Sequence, residues 1–314
     1  MIDINDELQA IMRGVVDVIP NKDDLVIKLK KSREENRPLR VKLGIDPTGT
    51  SIHLGHLVPL FKLKQFQELG HHTILIIGTF TGMVGDPEGR KVTRPQLSKE
   101  EVLRNADIIT EQVRKIVDPD KTEIVRNGDW LDKLTAMDGV NLAKKVTLSR
   151  LMERRDFSAR LQDGIPIHLH ELVYPLLMGY DSVHLKADIE LGATEQMLNI
   201  YMGRFLQEVA GQEPQVGMTL PVLEGLDGKE KMSKSLNNYI GIQDPPKTMY
   251  DKLLSIPDHQ IVSYFTLLTQ IPLNEVETIK NRLANGSLTS QDAKRVLALE
   301  IITAFYSKSV SEKL

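Results

Sequence analysis

The 314-residue chain has no cysteine, a single tryptophan and no apolar run approaching 18 residues, and each shortage removes a class of protein. Without thiols there is no disulfide framework, no thiolate nucleophile, no iron–sulfur cluster and no cysteine-bearing zinc site. Without a long apolar run there is no membrane-spanning helix. An excess of one charge is missing too: 40 Lys and Arg stand against 43 Asp and Glu, a formal net of −3, whereas a dedicated nucleic-acid binder usually carries a basic surplus. The opening MIDINDELQA lacks the basic-then-apolar order of a signal peptide, so a cytoplasmic protein is expected. What remains is an ordinary globular composition, 41% apolar and 26% charged, in a chain long enough to bury a sizeable core.

Two aliphatic segments, Leu39 to Ile45 and Thr73 to Thr79, read as buried strands of a parallel sheet. Between them Leu57, Val58, Leu60, Phe61, Leu63, Phe66 and Leu69 recur at helical spacing, and Gly70 ends the run. A strand-loop-helix-strand unit of this kind places ligands at the carboxyl ends of its strands. Ser98 with Glu101 has capping-box spacing at the head of a helix expected to reach about Val117. Thr122–Val125 and Ser182–Ala187 are further strand candidates, a helix is expected from about Thr194 to Val209, and a strand ends near Pro221–Leu223. After Pro245 and Pro246 only helices are expected: Asn274 with Glu277 reads as a cap, Asn285-Gly286 as a stop, and Thr289–Tyr306 as another helix. The fold class is α/β: an N-terminal helical segment (1–38), a Rossmann-like parallel-sheet catalytic domain (39–244) and an all-helical domain (245–314).

Two motifs carry chemistry. The loop after the first strand reads GIDPTGTSIHLGH, residues 44–56, and runs into a helix N-terminus, where backbone N–H groups attract anions. His53 and His56 stand there three residues apart, and Gly55 between them lets a ligand approach the backbone. An isolated H-x-x-H is more often a surface or metal pair; the strand-loop-helix setting favours phosphate. KMSKS, residues 231–235, sits in a glycine- and charge-rich loop suited to closing over a polyphosphate. Its five specified positions arise by chance in about one chain in ten thousand of this length.

Together these motifs resemble the paired signatures of class I aminoacyl-tRNA synthetases. GIDPTGTSIHLGH, FTGMVGDPEGR (80–90), YPLLMGYDS (174–182) and GATEQMLN (192–199) are similar to successive blocks of the tyrosyl-tRNA synthetase family, in its KMSKS branch, from about residue 30 to the C-terminal helices. The resemblance implies a homodimer and a two-step reaction: ATP activates tyrosine as an adenylate, which is then transferred to the 3′ end of tRNA. It places Thr48, His53, His56, Lys231 and Lys234 on the ATP phosphates, with Arg90 and Arg94 as further cations. Gly44, Asp46, Gly55, Gly192 and Glu195 would line the nucleotide site, and Lys42, Thr81, Asp86, Tyr174, Met178, Asp181 and Gln196 the amino-acid site. Mg²⁺ is expected to travel with ATP on phosphate oxygens and water, because no acidic cluster suggests a dedicated cage. Relatives usually carry a small S4-type RNA-binding module after the helical domain; the chain reaches Leu314 without one.

The sequence departs from the family at three places. Met178 replaces a glutamine, Ala193 a glycine and Glu195 an aspartate. Met178 followed by Asp181 also resembles the sibling tryptophanyl pattern, so tryptophan or a tyrosine-like acid stays open, as does a non-catalytic paralogue. A dehydrogenase reading fails for want of G-x-G-x-x-G after the first strand. From Lys144 to Arg160 six basic residues face two acidic ones. Lys144, Lys145, Arg150 and Arg154 in that stripe are candidates for tRNA phosphates. Trp130 reads as a packing residue.

Overall fold

The computed structural model describes residues 3–87, 96–152, 155–306, 308–311 and 314. Six strands form one sheet: β1 (Asp17–Ile19), β2 (Arg40–Ile45), β3 (His72–Ile77), β4 (Thr122–Arg126), β5 (Ile189–Ala193) and β6 (Val216–Leu220). Their spatial order is β1-β6-β5-β2-β3-β4. β2 to β6 run parallel, and β1 joins β6 antiparallel, with Asp17 opposite Thr219. From β2 the chain steps to β3 and β4 on one side, then crosses back to β5 on the other side of β2. That reversal creates a crevice at the carboxyl ends of these strands, where ligands of open α/β sheets bind.

Helices of eight residues or more are α1 (Ile4–Met12), α2 (Lys22–Glu34), α3 (Leu54–Glu68), α4 (Lys99–Val113), α5 (Ala136–Ala143), α6 (Arg155–Gln162), α7 (Leu169–Leu185), α8 (Met197–Val209), α9 (Pro246–Leu254), α10 (Ile261–Leu268), α11 (Leu273–Ala284) and α12 (Ser290–Phe305). Strand alternation sends side chains to two cores. Leu43, Leu75 and Ile77 join Leu57, Leu60 and Leu63 of α3, and the same cluster continues into Leu253, Tyr264 and Leu297 of the C-terminal helices. Ile74 and Ile76 face the other way, onto Trp130 and onto Leu177 and Leu185 of α7. Each fully buried aliphatic side chain contributes about 1.5–3 kcal/mol, so the apolar stripe read from the sequence anchors α3 and thereby fixes where His53 and His56 point.

Four expectations differ from the structure. Ser182–Ala187 is not a strand: the stripe Leu172, Leu176, Tyr180, Val183 continues α7, which ends where Lys186 takes a left-handed conformation (φ 48°), and β5 starts at Ile189. The segment 1–38 is not purely helical, because three residues form β1 against β6. Ser98 caps α4 as expected, its side chain accepting from the Glu101 N–H, yet the helix ends at Val113, short of Val117. Asn274 is not a cap; Pro272 precedes the first turn of α11, the missing proline N–H costing nothing there.

Candidate active site

The β2–α3 loop brings the histidine pair to the crevice. His53 precedes α3 in extended backbone, and its N–H donates to His56 Nδ1 at 3.2 Å, with ring centroids 3.9 Å apart. Because His56 Nδ1 accepts, its proton resides on Nε2, free to donate elsewhere. Burial is the main influence on both rings. It lowers the His53 pKa to about 2, reinforced by His56 and Lys234, and the His56 pKa to about 4, reinforced by Lys234. Both are neutral near pH 7, so each offers one N–H without a resident positive charge. His53 Nδ1 is buried and has no hydrogen-bond partner among the described residues. Thr48 is exposed on the same loop, its N–H donating to the Asp46 carbonyl at 2.8 Å; Gly44 is exposed near the end of β2, and Gly55 lies in the first turn of α3.

The KMSKS segment reaches both halves of the crevice. Lys234 Nζ lies 2.9 Å from where a Cβ on Gly49 would stand, so glycine lets the ammonium lie close over this loop; partial burial lowers its pKa. Lys231 pairs with Glu195 at 2.9 Å. Met232 is buried in the main core, and the Ser233 N–H donates to Asn238 Oδ1 at 2.7 Å. Two internal anchors thus hold a loop whose two lysines project.

On the α7 face a chain of hydrogen bonds crosses four elements. Tyr174 OH donates to Asp46 Oδ2 (2.9 Å), Thr81 Oγ1 donates to Asp46 Oδ1 (2.6 Å), and Asn127 Nδ2 donates both to Thr81 Oγ1 (2.9 Å) and to Asp181 Oδ2 (3.2 Å). Trp130 Nε1 donates to Asp181 Oδ1 at 2.8 Å while its ring stacks on His184. Gly78 is required beneath, since a Cβ there would stand 1.9 Å from Asp46 Oδ1. Beside it Gln196 Nε2 donates to Asp86 Oδ2 at 2.7 Å. Met178 is half-buried one turn beyond Tyr174, and Gly192 is buried in β5.

Strand register settles Lys42. It pairs with Ile74 across β2–β3, hence points to the α7 face, where it forms a buried ion pair with Glu190 of β5 at 2.8 Å. Burial raises the Asp181 pKa to about 7; Lys42 opposes the shift, then Asn127 and Trp130. Tyr174 rises above its ordinary value, first through burial and then through Asp46.

Asn127, Trp130 and Glu190 therefore belong to the site, although sequence reading missed the first and third and assigned the second to packing. Asn127 follows the last residue of β4, so the rule that ligands meet strand carboxyl ends would have singled it out. Of the basic stripe, Lys144 and Lys145 are exposed, and Arg150 lies over the Phe205 ring at 4.1 Å. Arg160 is not part of a solvated face: it is buried and donates to both oxygens of Glu171, at 2.6 and 3.1 Å. Arg90, Arg94 and Arg154 lie outside the described residues. Among the described residues no group of three His, Asp or Glu is arranged to hold a metal ion, and no helix is long and apolar enough to cross a membrane.

Residues 34–314 match the family described as tRNA synthetases class I (W and Y). The chain is 54% identical over 307 residues to a tyrosine–tRNA ligase of Carboxydothermus hydrogenoformans, covering 98% of this chain and 74% of the relative. It is 51% identical to one from Moorella thermoacetica, covering 96% and 73%. It thus spans about three quarters of their length. Its fold is similar to that of a tyrosyl-tRNA synthetase from Archaeoglobus fulgidus solved with L-tyrosine, with a TM-score of 0.80, 22% identity and 99% of each chain covered.

Proposed function

The chain belongs to the class I tRNA synthetases of the tryptophan and tyrosine type, and from that premise we propose that it activates tyrosine with ATP and transfers the tyrosyl group to the 3′ end of tRNA(Tyr) in the cytoplasm. The observation that carries this reading is the 54% identity to a tyrosine–tRNA ligase over 98% of the chain, a stretch that spans nearly the whole sequence. In the first step a tyrosine carboxylate oxygen attacks the α-phosphorus of ATP and the bond to pyrophosphate breaks; in the second a terminal ribose hydroxyl of tRNA attacks the adenylate carbonyl and AMP leaves. No protein nucleophile is needed, only positioning and charge stabilisation.

The residues divide accordingly. Thr48 and the neutral His53 and His56 donate to phosphate oxygens, Lys234 meets charge growing on the leaving pyrophosphate, and Lys231 joins it after exchanging Glu195 for phosphate. Arg90 and Arg94 complete the cations, and Gly44, Asp46, Gly55, Gly192 and Glu195 line the nucleotide. Asp86, Gln196 and Tyr174, with Met178 alongside, surround the substrate ammonium, while Asp181 accepts from the side-chain hydroxyl. Mg²⁺ enters with ATP on its phosphates. ATP–pyrophosphate exchange tests the reading: tyrosine should support exchange and tryptophan should not, and the reverse result overturns it.

Lys144, Lys145, Arg150 and Arg154 contact tRNA phosphates in this reading. Replacing Lys144 and Lys145 by Ala should weaken tRNA binding and reduce the slope of log affinity against log salt by about two, leaving pyrophosphate exchange intact. Equal loss of both activities removes the contact. A second copy of the chain covers the large apolar residues exposed on α5, α6 and α7, among them Met137, Val140, Leu161 and Leu169. Sedimentation should give twice the monomer mass, and Val140→Glu combined with Leu169→Glu should give a monomer; an unsubstituted monomer overturns the dimer.

A further inference from the structure

A cavity of about 470 Å³ opens along α3, beyond the turn that carries the histidine pair, within the roughly 300–1,000 Å³ range of small-molecule sites. Three parts of the chain meet there: Arg13 after α1, the middle of α3, and the helical unit through α10 and α12. Lys62 lies nine residues beyond His53, about 13 Å along the helix axis, so the cavity is separate from the nucleotide loop.

Two cations line it, Lys62 buried and Arg13 half-buried. Lys62 is only 5% exposed, and its ammonium donates to the Ile11 carbonyl at 2.6 Å and to Gln65 Oε1 at 2.5 Å. The Arg13 guanidinium donates to the carbonyls of Thr266, Ile271 and Phe265 at 2.9, 2.6 and 3.1 Å. Every one of these partners is neutral, and among the described residues neither cation pairs with a carboxylate. Burial lowers both pKa values, and the charge of Arg13 adds to burial in bringing Lys62 to about 7. A buried ammonium beside a second positive charge and without a counter-ion is costly, and a bound anion relieves that cost. Each retains unused N–H groups, one of three on the ammonium and two of five on the guanidinium. Phe61, Leu220, Leu267 and Phe305 give the wall an apolar part, beside the polar Thr266, Thr269, Gln270 and Thr303.

We propose that this cavity is a second ligand site, which takes a small organic anion: a carboxylate set against Lys62 and Arg13, on an aromatic or branched aliphatic body that fills the apolar wall. The other charged groups around it are Lys64 and Glu68 of α3, Lys115 after α4 and Glu300 of α12. None of them replaces the missing counter-ion of Lys62, which pairs with none of these carboxylates.

Calorimetric titration of the full chain with 2-naphthoate, under saturating tyrosine so that the amino-acid pocket is filled, tests this. One saturable site is expected, with 2-naphthamide at least tenfold weaker because it lacks the charge. Lys62→Met should weaken naphthoate at least tenfold, and Ala304→Trp, at the exposed rim of the cavity, should block it if a packing defect at Lys62 obscures the first variant. Binding favours the protonated ammonium, so affinity should fall at least about tenfold between pH 6 and 8.5, and Lys62→Arg should flatten that profile. Absence of saturable binding under saturating tyrosine, equal affinity for the amide, or full binding to Ala304→Trp each overturns the proposal.

Discussion

A Lys234→Ala variant is expected to form adenylate about 10²–10³-fold more slowly while binding tyrosine with unchanged affinity. The lysine lies over Gly49, beside two histidines that carry no charge near pH 7, and among the described residues no carboxylate neutralises it. In the proposed reaction it is therefore the resident cation where the pyrophosphate would leave, and charge that develops only in the transition state affects rate and not tyrosine binding. Lys231 starts from a different state, paired with Glu195, so Lys231→Ala should cost less: its loss frees an acid that the lysine had to abandon in any case. Stopped-flow measurement of adenylate formation with a tyrosine titration separates rate from affinity. A loss below tenfold, or one carried equally by tyrosine affinity, would remove Lys234 from the reaction.

The same loop shows what the sequence could and could not say. The α3 stripe, the flanking strands and the HLGH and KMSKS strings were legible because they depend on local periodicity and on order along the chain. The Lys231–Glu195 pair was not, since it joins residues 36 apart through sheet topology. Lys42 could be placed on neither face until the β2–β3 register was known, and the β2–β5 register sets it opposite its partner Glu190. Ser182–Ala187 misled because a short mixed run suits a strand or the last turns of a helix equally; the stripe that begins ten residues earlier decides it. Trp130 was read through its bulk, while its indole N–H, which must find a partner when buried, finds Asp181, the carboxylate proposed to accept from the substrate hydroxyl.

That carboxylate leads to the other large effect. Asp181→Asn should lower kcat/KM for tyrosine by about 10–10²-fold, the scale of a hydrogen bond to a charged group, with little change for phenylalanine, which has no hydroxyl to offer. Trp130 and Asn127 occupy one site on each oxygen, and a carboxylate has about four, so room remains for a phenol. Asparagine keeps one acceptor and turns an N–H₂ towards donors. Ionisation gives a second signature: burial raises the Asp181 pKa to about 7, and a phenolic hydroxyl donates best to the ionised form. In the parent, kcat/KM for tyrosine should therefore fall with acid below about pH 7, a limb that neither histidine can supply, their pKa values being about 2 and 4. Stability should move oppositely. The folded chain holds the Asp181 proton up to about pH 7, whereas an unfolded aspartate loses it near about 3.9, so the native state binds more protons across that window and loses stability as pH rises through it. Asp181→Asn abolishes that loss, so it should melt above the parent at pH 8 and level with it near pH 4. A variant that loses activity on tyrosine and phenylalanine alike, with no gain in melting temperature at pH 8, would show a damaged fold and not a missing hydroxyl acceptor.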